Sequence, residues 1–163
     1  MKLLILGACG HGQVINEIAH LSGQYNKISF LDDRSENAIG ILNDYKKFVD
    51  EYEHAFVAMG NVQLRKEWQE KLIDYGFVIP ALLHSAAVIS SNANIGLGSA
   101  VMAGAIIQPN AEIEDGCIIS AGAIVDHDAC VGEYSHINAG VVVPSMHKVP
   151  AYTKVDYGMI YRD

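Results

Sequence analysis

Ala111-Glu112-Ile113-Glu114-Asp115-Gly116-Cys117-Ile118-Ile119-Ser120-Ala121-Gly122-Ala123-Ile124-Val125 carries the pattern that decides the fold. Within it Ile113, Ile119 and Val125 fall six residues apart, and Ala111, Cys117 and Ala123 stand two before each. Extended both ways, the series runs Leu83, Ile89, Ile95, Val101, Ile107, Ile113, Ile119, Val125, Val131, Ile137, Val143, Val149, Val155 without a miss. With about a quarter of the chain made of Leu, Ile and Val, chance agreement over such a run is on the order of one in ten million. The position two earlier is small from Ala81 to Ser135, and Gly96, Gly98, Gly104, Gly116, Gly122, Gly132 and Gly140 gather near the expected corners. This is a hexapeptide repeat, and it predicts a parallel β-helix.

The pattern has a mechanical cause. A coil of three short sides encloses a narrow interior, so one branched aliphatic per side fills the axis. The residue two earlier also faces inward, beside a corner, where only a small side chain fits. Glycine supplies the positive φ that tight corners need. Each coil hydrogen-bonds its neighbours, giving a quasi-one-dimensional stack. An ordinary set of buried strands would show a period of two and no sixfold register.

Composition narrows the classes of function. The chain has 163 residues, half of them hydrophobic, and a net charge of −8. No cluster of Lys or Arg exists to neutralise phosphates, which argues against nucleic acid and an anionic membrane as partners. No apolar run approaches the roughly 18–20 residues of a membrane span, and the start lacks a signal-peptide layout. Cys9, Cys117 and Cys130 are odd in number and at no metal spacing, with Cys117 in a small inward position. A cytoplasmic setting is expected.

Ahead of the repeat, strands alternate with helices. Strands are predicted at Lys2–Leu6, Lys27–Leu31, Ala55–Met59 and Phe77–Leu82, and helices at Gln13–Leu21, Asp44–Tyr52 and Val62–Tyr75, with Gly76 as a helix stop. This predicts a small Rossmann-like α/β domain over residues 1–80, followed by the β-helix over 81–163 with a short irregular tail. No Pro/Ser-rich linker separates them.

Two places carry candidate chemistry. The turn Gly7-Ala8-Cys9-Gly10-His11-Gly12 follows a strand and opens a helix, which puts backbone N–H groups and the positive end of a helix dipole at one point. Its spacing is G-x-x-G-x-G, unlike the G-x-G-x-x-G of the dinucleotide fingerprint. Asp32 lies at a strand end 20 residues past Gly12, where a carboxylate accepts from a ribose hydroxyl. A purely structural turn and a ligand site both remain open here. In the repeat, Val125-Asp126-His127-Asp128 sets an imidazole between carboxylates on a rigid scaffold, the arrangement of a general base. His136 stands nine residues on, half of an 18-residue coil. Both histidines can equally be surface residues by pattern alone.

In order and spacing these segments, with Phe30-Leu31-Asp32-Asp33, Ala58-Met59-Gly60-Asn61, Arg65-Lys66, His84-Ser85 and Gly132-Glu133-Tyr134-Ser135-His136, resemble a bacterial family of hexapeptide-repeat sugar acyltransferases. That family includes the UDP-4-amino-sugar N-acetyltransferases of bacillosamine synthesis and the sialic acid O-acetyltransferases. The resemblance spans nearly the whole chain. It implies a left-handed β-helix, a homotrimer, acetyl-CoA as donor and a nucleotide-linked amino sugar as acceptor. It also implies that Gly10, His11, Asp32, Asp33 and Asn61 bind the nucleotide sugar. His127 then corresponds to the catalytic base, Asp128 to its acidic neighbour (usually Glu in relatives) and His136 to a second active-site histidine that also meets the cofactor. Ser145 aligns with the family glycine whose backbone N–H serves the oxyanion.

The resemblance departs at the C-terminus. After Ile137 the small-residue rule fails at Val141, His147 and Thr153, Pro144 and Pro150 intervene, and Asp156-Tyr157-Gly158-Met159 replaces the family's Gly-Asn-Pro-Ala-Lys ending. One to two coils, against which relatives lay coenzyme A, are expected to be missing. Besides the N-acetyltransferase, three readings stay open: a sialic acid or sugar O-acetyltransferase, a non-catalytic nucleotide-sugar-binding protein, and a γ-type carbonic anhydrase-like zinc enzyme. The last needs three histidines meeting at a subunit interface, and only His127 and His136 are suitably placed. No metal is otherwise expected.

Overall fold

The structure, a computed structural model, describes residues 1–162, and the chain forms two compact units, Met1–Pro80 and the part from Ala81 onward. In the first unit the elements run β1 (Lys2–Leu6), α1 (Gly10–Leu21), β2 (Lys27–Leu31), β3 (His54–Val57) and α2 (Val62–Asp74). The strands pair in parallel in the order β2-β1-β3. Leu3, Leu4, Ile5 and Leu6 of the central strand are all fully buried, which is why β1 reads as an unbroken apolar run. Leu4, Leu6, Leu31 and Val57 share one core with Trp68 and Leu72 of α2. Gly76, at φ +102°, ends that helix as expected.

Several boundaries differ from the sequence reading. α1 begins at Gly10, inside the glycine turn, three residues before Gln13. The expected helix over Asp44–Tyr52 is a short 3-10 segment, Leu42–Lys47. The strand expected at Ala55–Met59 is shifted back to His54–Val57. No fourth strand joins this sheet over Phe77–Ala81, and Leu82 instead opens the strand Leu82–Leu83 of the second unit. Phe77 and Ile79 point into the core at 5% and 3% exposure while Val78 faces out, so the alternation is strand-like. Only Val78 bridges to His54, however, and Pro80 has no N–H to extend the ladder.

In the second unit every described strand is two residues long and pairs in parallel with strands 18 residues away in the chain. The first face stacks Leu82–Leu83, Ala100–Val101, Ile118–Ile119, His136–Ile137 and Lys154–Val155. Val88–Ile89, Ile106–Ile107, Ile124–Val125 and Val142–Val143 form the second. Asn94–Ile95, Glu112–Ile113, Cys130–Val131 and Lys148–Val149 form the third. The second residue of each pair is the sixfold aliphatic. From Val101 to Val149 these side chains are 0–2% exposed and make one continuous core with Ala105, Ala111, Cys117 and Ala123. Leu83, in the first coil, is 40% exposed because no coil lies beneath it.

The coils stay regular past Ile137, where the small-residue rule fails. Val141 is fully buried in the core in place of a small residue, and Tyr161 packs against its far end. The sixfold aliphatics Val143, Val149 and Val155 keep the axis filled, so the register holds while the corner constraint relaxes.

Corner geometry separates two glycines of the same conformation. Gly116 and Gly122 have φ +66° and +67°. A Cβ on Gly116 would lie 2.4 Å from the Tyr134 ring, which stacks on Tyr152, whereas one on Gly122 would meet nothing within 4 Å. Gly122→Ala should therefore lose only the left-handed penalty of about 1–2 kcal/mol. Gly116→Ala should lose roughly 2–5 kcal/mol, since overpacking adds to it. Urea unfolding followed by circular dichroism measures both, and equal losses would contradict the packing of Tyr134 over this corner.

Candidate functional site

In the first unit, α1 starts without a side-chain cap and with no acid in its first turn, while α2 is capped by Asn61, whose Oδ1 accepts from the Leu64 N–H at 2.9 Å. The first N–H groups of α1 thus remain open at the positive end of its dipole, as an anion site requires. The two glycines flanking His11 play different parts. A Cβ on Gly12 would sit 2.1 Å from the Gly7 carbonyl oxygen, so this position is glycine because helix and strand touch. At Gly10 there is open space within 4 Å.

His11 is half-buried, and its Nε2 has no hydrogen-bond partner among the described residues. Burial, then the nearby Arg65 guanidinium, lower its pKa to about 4, so the ring is neutral at pH 7. Arg65 itself is fully buried in the first turn of α2, where Nη1 donates to the carbonyls of Met59 at 2.8 Å and Gly60 at 3.3 Å. Carbonyl partners of this kind make a buried guanidinium tolerable.

Asp32 ties two turns together. Its Oδ2 accepts from the Ala8 N–H at 2.8 Å and its Oδ1 from the N–H groups of Arg34 and Ser35 at 2.8 and 3.0 Å. These backbone donors, Ala8 first, hold its carboxyl below the usual range. Asp33 Oδ1 accepts from the Leu42 N–H at 3.0 Å. Both aspartates line an open depression of about 400 Å³ with Ser35, Gly40 and Asp44. Asp32, Asp33 and Asn61 each hold local backbone.

In the second unit His127 and Asp128 form a direct pair. The corner after Ile124–Val125 places Asp128 at φ +58°, and this left-handed turn swings its carboxylate back so that Oδ2 lies 2.7 Å from His127 Nδ1. The shorter arm of Asp therefore reaches. Asp126 Oδ1 accepts the His127 N–H at 2.8 Å, fixing the backbone from the other side. The hydrogen bond to Asp128, followed by the charges of Asp126 and Asp128, raises the His127 pKa above its ordinary value. With Nδ1 held by a carboxylate, Nε2 is the nitrogen left to take a proton.

His136 belongs to the first face, paired in register with Ile118, and its Nε2 lies 3.1 Å from the Ser120 hydroxyl. Ser145 stacks one coil beyond His127, in a register set by the Met146 N–H donating to the His127 carbonyl at 3.2 Å. Its own N–H has no protein acceptor among the described residues. Among the described residues no three His, Cys, Asp or Glu side chains gather into a metal-binding group within the chain, and no helix is long and apolar enough to cross a membrane.

Comparison with known proteins adds to this geometry. Residues 2–72 match the family described as the PglD N-terminal domain. The acetyltransferase domain of PglB from Neisseria gonorrhoeae FA1090 superposes with a TM-score of 0.91 at 31% identity, covering 99% of this chain and 92% of that one.

The chain belongs to the hexapeptide-repeat sugar N-acetyltransferase family.

The same PglB domain in complex with acetyl coenzyme A superposes with a TM-score of 0.89 at 32% identity, over 99% and 90% of the two chains. PerB from Caulobacter crescentus, in complex with CoA and GDP-perosamine, gives 0.83 at 28% identity over 100% and 90%. UDP-N-acetylbacillosamine N-acetyltransferase from Bacillus subtilis (strain 168) is 34% identical over 111 residues, 63% of this chain and 51% of that protein. The match thus spans about half the length of that curated relative. Its three stacks of parallel two-residue strands make the second unit a parallel β-helix, as in these relatives.

Three residues of this family member escape a reading by sequence. Arg65 stands within the family pattern, yet nothing in its neighbours tells that it is buried beside His11. Ser120 meets His136, and Asn110 meets Asp128, only through the stacking of coils. The 18-residue register finds Asn110 directly beside Asp128, and it places Ser120 two residues past Ile118, the register partner of His136.

Asp128→Asn should lower the His127 pKa toward its ordinary value, because the largest stabiliser of the imidazolium becomes neutral. An NMR pH titration of the His127 ring measures this. A midpoint unmoved from the native one would contradict the pair.

Proposed function

We propose that this chain transfers an acetyl group from acetyl-CoA to the amine of a nucleotide-linked amino sugar, directly and without an acyl-enzyme. The single observation that carries the reading is the His127–Asp128 pair, a histidine with one nitrogen held by a carboxylate and the other free, on a coil corner of a family member. His127 Nε2 takes the proton from the amine as its nitrogen forms a bond to the thioester carbonyl carbon. Asp128 and Asp126 stabilise the imidazolium that results. The Ser145 N–H, without a protein acceptor among the described residues, donates to the oxyanion. When the C–S bond breaks, the imidazolium returns the proton to the departing thiolate and His127 is neutral again. In this reading His136 contacts the cofactor, its ring held by the Ser120 hydroxyl 3.1 Å from Nε2.

The donor assignment draws on PglB with acetyl coenzyme A and PerB with CoA. A nucleotide-sugar acceptor draws on PerB with GDP-perosamine. The first unit is then the nucleotide-sugar-binding domain. The open N–H groups of α1 meet the phosphates, with Gly10 giving room for close approach. Neutral His11 and the Asn61 amide donate hydrogen bonds. The depression beside Asp32 and Asp33 accepts the base or ribose, whose donors match carboxylates.

A homotrimer is part of the same reading. On the second face the outward residues are Val88, Ile106, Ile124, Val142 and Ile160, all aliphatic, with Val88 64% and Ile160 56% exposed. The corresponding positions of the third face are Asn94, Glu112, Cys130 and Lys148. An apolar strip of this kind calls for protein cover, and a three-fold arrangement closes such a heterologous contact.

The test is incubation of the full chain with acetyl-CoA and a panel of UDP-, GDP- and dTDP-linked amino sugars, reading free thiol and the mass of the sugar product. Turnover with at least one amino sugar, and three chains per particle by light scattering, are expected. No thiol release with any acceptor, together with no binding of acetyl-CoA, would overturn the transferase and leave a nucleotide-sugar-binding protein. Acetylation of a hydroxyl in place of the amine would make it an O-acetyltransferase.

A further inference from the structure

The corner that carries His127 and Asp128 stacks on the corner of the preceding coil, Pro109-Asn110. Its register is fixed by the Asp128 N–H donating to the Pro109 carbonyl at 3.1 Å. Asn110 and Asp128 share a left-handed backbone, at φ +61° and +58°. Asn and Asp are the residues other than glycine that tolerate this region best. Identical backbone geometry one coil apart sends the two side chains out in parallel, and Asn110 Nδ2 donates to Asp128 Oδ1 at 3.0 Å. Each oxygen of Asp128 therefore has its own donor: Asn110 on Oδ1 and the His127 ring on Oδ2.

This arrangement answers a problem of the site. The His127 and Asp128 side chains are 52% and 48% exposed, so no packing holds the carboxylate in one rotamer. Water competes for each of its oxygens. A donor fixed to the scaffold restricts Asp128 to the orientation in which Oδ2 faces Nδ1. An amide does so without altering the charge: a lysine here would neutralise Asp128, and a carboxylate would repel it. We infer that Asn110 is a positioning residue of the transferase site, holding Asp128 on His127 Nδ1 and so keeping Nε2 as the free nitrogen. The inference rests on the reading of His127 as the base.

The electrostatics run the same way. The hydrogen bond from His127, then that from Asn110, hold the Asp128 carboxyl below its ordinary range. The charged groups facing His127 are Asp128 and Asp126. Its column neighbours in the adjoining coils, Pro109 and Ser145, are neutral. Releasing Asp128 therefore lowers the His127 pKa toward its ordinary value.

The test compares the native chain with Asn110→Gly, Asp128→Asn and the double variant, all full length. Glycine keeps the left-handed corner and removes only the amide, and thermal unfolding reports that the fold is retained. Imidazole ¹⁵N shifts give the tautomer of His127 and its titration midpoint. In the native protein the neutral ring should carry its proton on Nδ1. In N110G the tautomers should mix and the midpoint should fall. The kcat should drop on the order of tenfold, part of the about 10²–10⁴-fold a general base supplies, with KM unchanged. In the D128N background, N110G should change nothing further, since both act through one carboxylate. A native tautomer and midpoint in N110G, or an effect that persists without Asp128, would overturn the inference. A shifted tautomer with undiminished kcat would leave Asn110 in its role and remove His127 as base.

Discussion

The narrow interior of the coil is the constraint on which the rest of the second unit depends. With one aliphatic per side filling the axis, neighbouring coils have no freedom to slip, because a shifted register would bring polar residues inside. Residues 18 apart therefore stand directly over one another for the length of the stack. Chemistry on such a scaffold is built in columns. Pro109, His127 and Ser145 form one, and Asn110, Asp128 and Met146 the next. The proposed base, its carboxylate, the amide that donates to the carboxylate and a backbone N–H without an acceptor among the described residues all meet at one corner because the core beneath them is rigid.

The first unit solves a different problem by similar economy of space. Gly12 lets α1 press onto the Gly7 carbonyl, which brings the uncapped start of the helix to the end of the sheet. Asp32 then ties that turn to the end of β2 through three backbone donors. Burial, and then the charge of Arg65 nearby, keep His11 uncharged. Residues proposed to meet the ligand are thus the same ones that hold the turns, so substitutions at Asp32 or Asn61 affect local folding as well as binding.

What the sequence reveals follows from how local each signal is. The sixfold series is periodic and fully buried, so it can be read directly, and the β1 run likewise. Phe77–Leu82 misleads because its alternation is real while its ladder is a single bridge ended by Pro80. The start of α1 is hidden by the glycines, which look like a turn and instead form the first turn of helix. Beyond Ile137 the loss of small residues suggests a failing repeat, yet Val141 fits because the axis stays filled. His127 and Asp128 are legible as adjacent residues. Asn110 and Ser120 are not, since a lone Asn or Ser in a repeat looks like any solvated corner until the register is applied.

The most direct test of the account is the rate of acetyl transfer by His127→Ala at saturating acetyl-CoA and acceptor, with the affinities for both measured separately. A fall of about 10²–10⁴-fold in rate with both affinities retained is the predicted result. A rate equal to that of the native chain would contradict it.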